Sequence, residues 1–322
     1  MKMATRHWPA SPDTIAAAAV LLRQGRLVAF PTETVYGLGA DACSGEAVAR
    51  IYEAKGRPRF NPLIAHVADL DQALGQGRFD RDALALAQAF WPGPLTLIVP
   101  VAATCTVSHL ARSGLDSVAL RVPDHPVAMS LLREAGVPVA APSANRSGRI
   151  SPTSADHVMG DLKGRIDVVL DGGVTAVGLE STILACLGDG IRLLRPGGLK
   201  RAAIEAVLGR ALNVPTDLDP VVAPGMMASH YAPQAAVRLD AVSVGVGEAV
   251  LDFGGRFSGV TTGLRLDLSD RGDLTEAAAN LFCHLHRLDD AGATRIAVAP
   301  VPVDGLGEAI NDRLRRAAAP RP

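Results

Sequence analysis

A chain of 322 residues is about twice the common single-domain size, which predicts one large unit and a smaller one rather than a single core. Apolar residues make up 48%, charged residues 20% and aromatic residues only 4%, a composition that excludes a disordered or fibrous chain. The formal net charge of -1 excludes a uniformly basic surface, so any contact with nucleic acid must be local.

From the N-terminus, Ser11 caps a helix that begins at Pro12 and places Ile15, Ala18, Ala19 and Leu22 on one face, ending before Gly25. Leu27 to Phe30 is a buried strand. Pro31 ends it and opens a polar, glycine-bearing loop from Thr32 to Gly39. A helix from Ala47 to Lys55 follows, stopped by Gly56. Strands are predicted at Leu63 to Val67, Leu95 to Val99, Val118 to Val122, Val137 to Ala141, Val168 to Leu170, Ser181 to Leu184 and Ile191 to Leu194. Helices at Arg81 to Phe90, Val127 to Glu134 and Leu199 to Leu208 alternate with them, an α/β pattern with one large sheet. Residues 213–235 are proline-spaced and weakly patterned, a linker. Beyond it, Ala249 to Phe253 (strand), Leu274 to Leu288 (helix), Ile296 to Val298 (strand) and Glu308 to Ala317 (helix) form a small α/β unit. The expected division is 1–212, a linker at 213–235 and 236–322.

The four cysteines, Cys43, Cys105, Cys186 and Cys283, form no CxxC pair, so neither a zinc knuckle nor a dithiol motif is present. Cys283, His284 and His286 sit on a helix at a spacing that sends the two histidines to different faces, and no metal site is expected. The opening MKMATRHWPASPD lacks the apolar stretch of a signal peptide, and no run approaches the roughly 18 apolar residues of a membrane span. The expectation is a cytoplasmic protein without a membrane segment.

The strongest chemical signal is Lys55-Gly56-Arg57-Pro58-Arg59-Phe60-Asn61-Pro62: three cations in five residues, on a turn stiffened by two prolines. Lysine supplies a point charge and arginine a planar fork, a combination suited to the oxygens of a polyphosphate; a solvated surface turn is the plain alternative. No GxxxxGK[ST] loop and no strand-borne GxGxxG exists, so any nucleotide is held by another architecture. The Ala141 to Gly148 segment, rich in hydroxyl and amide donors, follows an apolar strand and is placed to line a crevice. In Ser117 to Val122 a period of two puts Ser117, Ala119 and Arg121 on one face. An arginine in mid-strand needs a partner, either a protein acid or a ligand carboxylate.

Pro31-Thr32-Glu33-Thr34-Val35-Tyr36-Gly37-Leu38, KGRPRFNPL at 55–63, Trp91-Pro92-Gly93-Pro94-Leu95-Thr96, APSAN at 141–145, ESTI at 180–183 and LRPG at 194–197 together resemble the YrdC-like threonylcarbamoyl-AMP synthases. The resemblance covers residues 12 to 210. Ser229-His230-Tyr231-Ala232-Pro233 and the closing GLGEAINDRLRRAA resemble the long form of the family. It implies a large twisted mixed sheet flanked by helices, followed by a small Rossmann-like α/β domain. It also implies a nucleotidyltransferase reaction in which L-threonine, bicarbonate and ATP, with Mg2+ accompanying the nucleotide, give threonylcarbamoyl-AMP and pyrophosphate. By the same resemblance Lys55, Arg57, Asn61, Ser117, Ser143, Ser151 and Arg195 contact ATP, with Lys55 and Arg57 stabilising phosphate charge and Tyr231 closing over the nucleotide. Thr32, His66, Arg121, the backbone at Ala141, and Ser181 hold threonine. The product is expected to pass to a separate transferase that modifies tRNA, with at most a weak tRNA contact by this chain. Two rival readings are a double-stranded RNA or tRNA-binding module without adenylating activity, and a carbamoyl transfer enzyme of hydrogenase maturation, whose zinc-type cysteines this chain lacks.

Overall fold

The computed structural model describes residues 4–58, 60–188, 190–213, 230–260 and 263–320. Arg59 of the cationic turn and residues 214–229 of the expected linker, Ser229 included, lie outside them. The larger unit runs β1 (Arg6–Pro9), α1 (Pro12–Arg23), β2 (Val28–Pro31), β3 (Tyr36–Asp41), α2 (Gly45–Lys55), β4 (Ile64–His66), α3 (Leu70–Gln76), α4 (Arg81–Phe90), β5 (Leu95–Pro100), β6 (Ser117–Arg121), α5 (Pro126–Ala135), β7 (Val139–Ala140), α6 (Ala155–Leu162), β8 (Val168–Asp171), β9 (Thr182–Cys186), β10 (Ile191–Arg195) and α7 (Arg201–Leu208). The smaller unit holds β11 (Ala236–Arg238), β12 (Ala249–Asp252), β13 (Arg265–Asp267), α8 (Leu274–Asp290), β14 (Arg295–Val298) and α9 (Gly307–Ala318).

The larger sheet has ten strands in the order β1-β8-β2-β3-β7-β4-β6-β5-β9-β10, with parallel and antiparallel pairs mixed. The smaller sheet, β11-β14-β12-β13, is parallel throughout. Local chemistry sets the helix ends where the sequence places them. Ser11 and Thr14 form a reciprocal capping box on α1, and Gly56 closes α2 at φ 60°, a left-handed conformation that glycine adopts without strain. The period of two in β6 is realised as two faces: Val118 and Leu120 enter the main core, whereas Ala119 packs on the opposite side with Ile64, Ile98 and Ile183.

Several elements differ from the pattern-based expectation. Part of the Thr32 to Gly39 loop is strand: from Tyr36 onward the chain is β3, paired antiparallel with β2 and β7. Its glycines reflect close approach rather than a turn, since a β-carbon at Gly39 would stand 2.8 Å from Phe30 Cε1 and 3.0 Å from the Val28 carbonyl oxygen. β1 forms because β8 supplies its partner. The short edge strands β11 and β13 exist for the same reason. Two short helices, α3 capped by Asp69 and α6 capped by Ser154, are too brief to carry a periodic signature.

The two units share apolar contacts. Val35, Ile150 and Leu179 of the larger unit belong to the same buried cluster as Leu281, Phe282 and Ile310 of the smaller. His157 of α6 stacks on His286 of α8, ring centroids 3.8 Å apart, and Arg201 of α7 is ion-paired with Glu308 of α9. Gly178 lies so near α8 that a β-carbon would fall 2.5 Å from the Ala278 carbonyl oxygen, so this position accepts no side chain without moving a helix.

Candidate active site

A cleft opens beside this junction, among the ends of β4, β6, β9 and β10. His66 and Arg121 are register partners on the parallel strands β4 and β6, so the sheet itself sets them side by side. Ser181, just before β9, exchanges a hydrogen bond with Thr96 on β5 (2.7 Å). Arg195, the last residue of β10, reaches back to the Ser181 carbonyl oxygen through Nε (3.2 Å) and Nη2 (2.8 Å). Arg57 enters from the turn after α2 and donates through Nη2 to the Pro62 carbonyl oxygen (3.2 Å).

Among the described residues, three guanidiniums, Arg57, Arg121 and Arg195, line the cleft against one carboxylate, Glu180. Such an excess of buried positive charge favours an anionic occupant. Burial pulls the Arg57 guanidinium down to about 10, and desolvation likewise lowers Arg195; a bound anion would relieve both. Arg121 has the protein acid that its mid-strand position demands, since Nη2 donates to Glu33 Oε1 at 2.6 Å and Nε to the Gly93 carbonyl oxygen at 3.3 Å. Glu33 Oε2 and Arg57 Nε are buried without a hydrogen-bond partner among the described residues, a state that calls for further polar groups at this wall.

The described end of the linker, from His230 onward, lies against this cleft. Its backbone is tied down by the Ala232 amide donating to the Gly148 carbonyl (2.9 Å) and the His230 amide donating to the Arg316 carbonyl (3.2 Å). Tyr231 is 1% exposed, sits at φ 61°, and packs on Phe282 at 5.5 Å between ring centroids. A left-handed tyrosine costs about 1–3 kcal/mol, a cost offset here by the apolar contacts of its ring.

Eight residues singled out by sequence line the cleft: Arg57, His66, Arg121, Ala141, Ser143, Ser181, Arg195 and Tyr231. The other five are not part of its lining. Lys55 is buried and donates to the carbonyl oxygens of Ser143 and Asn145, each at 2.5 Å. The Asn61 carbonyl accepts from Tyr52 Oη at 3.1 Å. Thr32 braces its own turn, donating to the Val35 carbonyl at 2.7 Å, and leaves Thr34 and Val35 to face the cleft. Ser151 is buried and donates to Glu180 Oε1 at 2.5 Å, and Ser117 lies at the opposite end of β6 from Arg121. Sequence reasoning missed Glu180 and His230, both in the cleft lining. Glu180 opens the ESTI motif and His230 stands in the SHYAP motif, so the signal was present but attached to neighbouring residues.

Burial holds His66 and His230 neutral, each down to about 3, against an ordinary value of about 6.5. Between those values the unfolded chain binds more protons than the folded one, so their stabilisation is complete above about pH 6.5 and is lost as pH falls toward 3. At pH 5 the fold is expected to have lost about 2 kcal/mol per imidazole relative to pH 7.5. Urea unfolding midpoints at the two pH values check this, and equal midpoints would refute it.

Comparison with known proteins gives the same picture. Residues 20–197 match the Sua5, YciO and YrdC family model, described as "Telomere recombination", and residues 199–319 match the threonylcarbamoyl-AMP synthase C-terminal domain. The threonylcarbamoyl-AMP synthase of Bacillus subtilis is 44% identical over 95% of this chain and 93% of its own length. That of Pyrococcus abyssi is 43% identical over 95% and 94%. The crystal structure of P. abyssi Sua5 complexed with L-threonine superposes with a TM-score of 0.86 at 38% identity, covering 98% of this chain and 97% of the other. A cleft built from the family motifs, a matching second domain and full-length likeness to these enzymes place the chain in the threonylcarbamoyl-AMP synthase family, in its long, two-domain form.

Proposed function

We propose that the cleft joins L-threonine, bicarbonate and ATP into threonylcarbamoyl-AMP and pyrophosphate, as a nucleotidyltransferase. The observation that carries this reading is the gathering of Arg121, His66 and Ser181 with Arg57 and Arg195 around one cleft. The first group suits an amino acid and the second a polyphosphate. The threonine nitrogen and bicarbonate form a carbamate with loss of water. A carbamate oxygen then bonds to the α-phosphorus of ATP while the bond to the β-phosphate bridging oxygen breaks, releasing pyrophosphate. Both partners in the second step are anions, so the protein's part is to orient them and lower their repulsion, and no protein nucleophile is needed.

Arg57 and Arg195 face the phosphate charge, Arg121 the threonine carboxylate and Ser181 the amino acid's polar groups. His66, neutral through burial, is an uncharged wall for the threonine side. Mg2+ accompanying the nucleotide would supply neutralisation of phosphate charge. Among the described residues the cleft lining holds one carboxylate, Glu180, which is engaged by Ser151 and Arg313, so the ligands of such a metal would come from the nucleotide rather than from this wall. The activated product then passes to a separate tRNA-modifying transferase. With a net charge of -1, direct tRNA contact by this chain is local and weak. No described helix is long and apolar enough to cross a membrane, and a cytoplasmic location suits a reaction that draws on ATP, threonine and bicarbonate.

The test is pyrophosphate release from ATP and Mg2+ with threonine and bicarbonate omitted in turn. Release is expected to require both and to stop when Mg2+ is chelated. Release indifferent to threonine would overturn the reading. Absence of release together with tight, salt-sensitive tRNA binding would favour the RNA-binding alternative.

A further inference from the structure

The deepest charge near the cleft belongs to the second unit. Arg313 of α9 is fully buried, at 0% exposure. Its Nε donates to Glu180 Oε2 at 2.8 Å, and its Nη1 donates to the Pro196 carbonyl at 3.0 Å and to Asp312 Oδ2 at 2.6 Å. Its guanidinium carbon stands 5.1 Å from the centre of the Tyr231 ring. One side chain of the C-terminal unit thereby touches three parts of the cleft wall: the turn carrying Glu180 and Ser181, the segment beside Arg195, and the strap at Tyr231.

The first two of these parts are also in direct backbone contact, for a β-carbon at Gly197 would fall 2.4 Å from the Glu180 carbonyl oxygen. The other Glu180 oxygen accepts from Ser151, so the chain of bonds continues to the segment that follows the Ser143 loop. Stability alone does not call for this arrangement. Well-packed apolar groups of similar volume hold an interior as well as a buried ion pair does. What an arginine adds is several directed bonds from one rigid plane.

We propose that Arg313 is a positioning residue for the synthase reaction: through Glu180, Pro196 and Tyr231 it fixes the wall that presents Ser181 and Arg195 to the substrates, so the C-terminal unit completes the active site. The inference rests on the synthase reading of the cleft. It gives the second unit a task in the chemistry that its own βα pattern does not reveal.

Glu180 provides a readout. Burial would raise its carboxyl, but Arg313, then Arg195, and the Ser151 hydroxyl together hold it below the ordinary carboxylate value. The groups facing it are Arg313 from α9, Arg195 from β10, the Ser151 hydroxyl, and His230 and Tyr231 from the strap. Removing Arg313 therefore moves its titration to higher pH.

The experiment compares wild type with Arg313→Met, Arg313→Lys and Glu180→Gln in the full chain, measuring kcat and the two KM values for ATP and threonine from pyrophosphate release across pH, with thermal unfolding of each. Arg313→Met is expected to lower kcat/KM for ATP about 100-fold and to shift the acid limb of its pH profile upward. Arg313→Lys should recover part of the rate, and Glu180→Gln should remove that limb. Should Arg313→Met fail to fold, Arg313→Lys and Glu180→Gln carry the test. Folded variants with kcat, both KM values and the acid limb within about twofold of wild type would overturn the proposal, whatever their melting temperatures. A wild-type enzyme that releases no pyrophosphate would instead sink the synthase reading itself, which keeps the two failures apart.

Discussion

Arg121→Met is expected to abolish threonine-dependent pyrophosphate release and to destabilise the fold at once, for two separable reasons. Arg121 is 4% exposed and Glu33 8%, and their contact at 2.6 Å is a buried ion pair. Removing one member strands a carboxylate in the interior, at about 3–5 kcal/mol. Loss of a buried cationic contact to the substrate should lower turnover about 100- to 1000-fold. The double variant Arg121→Met/Glu33→Gln separates these effects, because no unpaired charge remains. Its unfolding midpoint should return most of the way to wild type while threonine-dependent release stays lost. Recovery of both would make Arg121 a structural residue only.

The second large effect is expected from Lys55→Met, which keeps the aliphatic stem and removes the ammonium. Lys55 lies in a turn of cations that invites a phosphate-gripping role, yet its ammonium is shared by the Ser143 and Asn145 carbonyls. Burial, and after it the charge of Arg57, pushes its titration well below that of an ordinary lysine. Depriving two carbonyls of a common donor should cost about 1–3 kcal/mol each and loosen the loop that carries Ser143 into the cleft. Turnover is expected to fall about 100-fold or more, with part of the loss in KM for ATP. The measurement is pyrophosphate release alongside denaturant unfolding. A variant destabilised by this amount but turning over normally would confine Lys55 to holding the loop.

The pattern of elements was legible wherever one element carries its own signature. The Ser11 cap with Pro12 and the glycine stop after Lys55 are local chemistry, and α1 and α2 fold where that chemistry puts them. The alternation in β6 likewise appears as two faces of a strand, one in the main core and one turned toward the cleft. β3 was hidden because its glycines read as a turn, although they mark where Phe30 and Ala141 press against the strand. β1, β11 and β13 were hidden because each is stabilised by a partner strand distant in sequence.

The cleft divides along the same line. The sequence by itself determined the chemical inventory, because the cations, hydroxyls and donor-rich loops occur in compact motifs that also identify the family. It could not determine which member of a motif lines the cleft. Thr34 rather than Thr32 lines the cleft, Lys55 turns behind it, and Glu180 joins it. It could not show that Arg313, 133 residues beyond Glu180 in the chain, closes the wall. Motif membership follows from local spacing, whereas side-chain direction depends on strand register, on loop hydrogen bonds and on the packing of one unit against the other. Those are long-range contacts, and only the tertiary structure decides them.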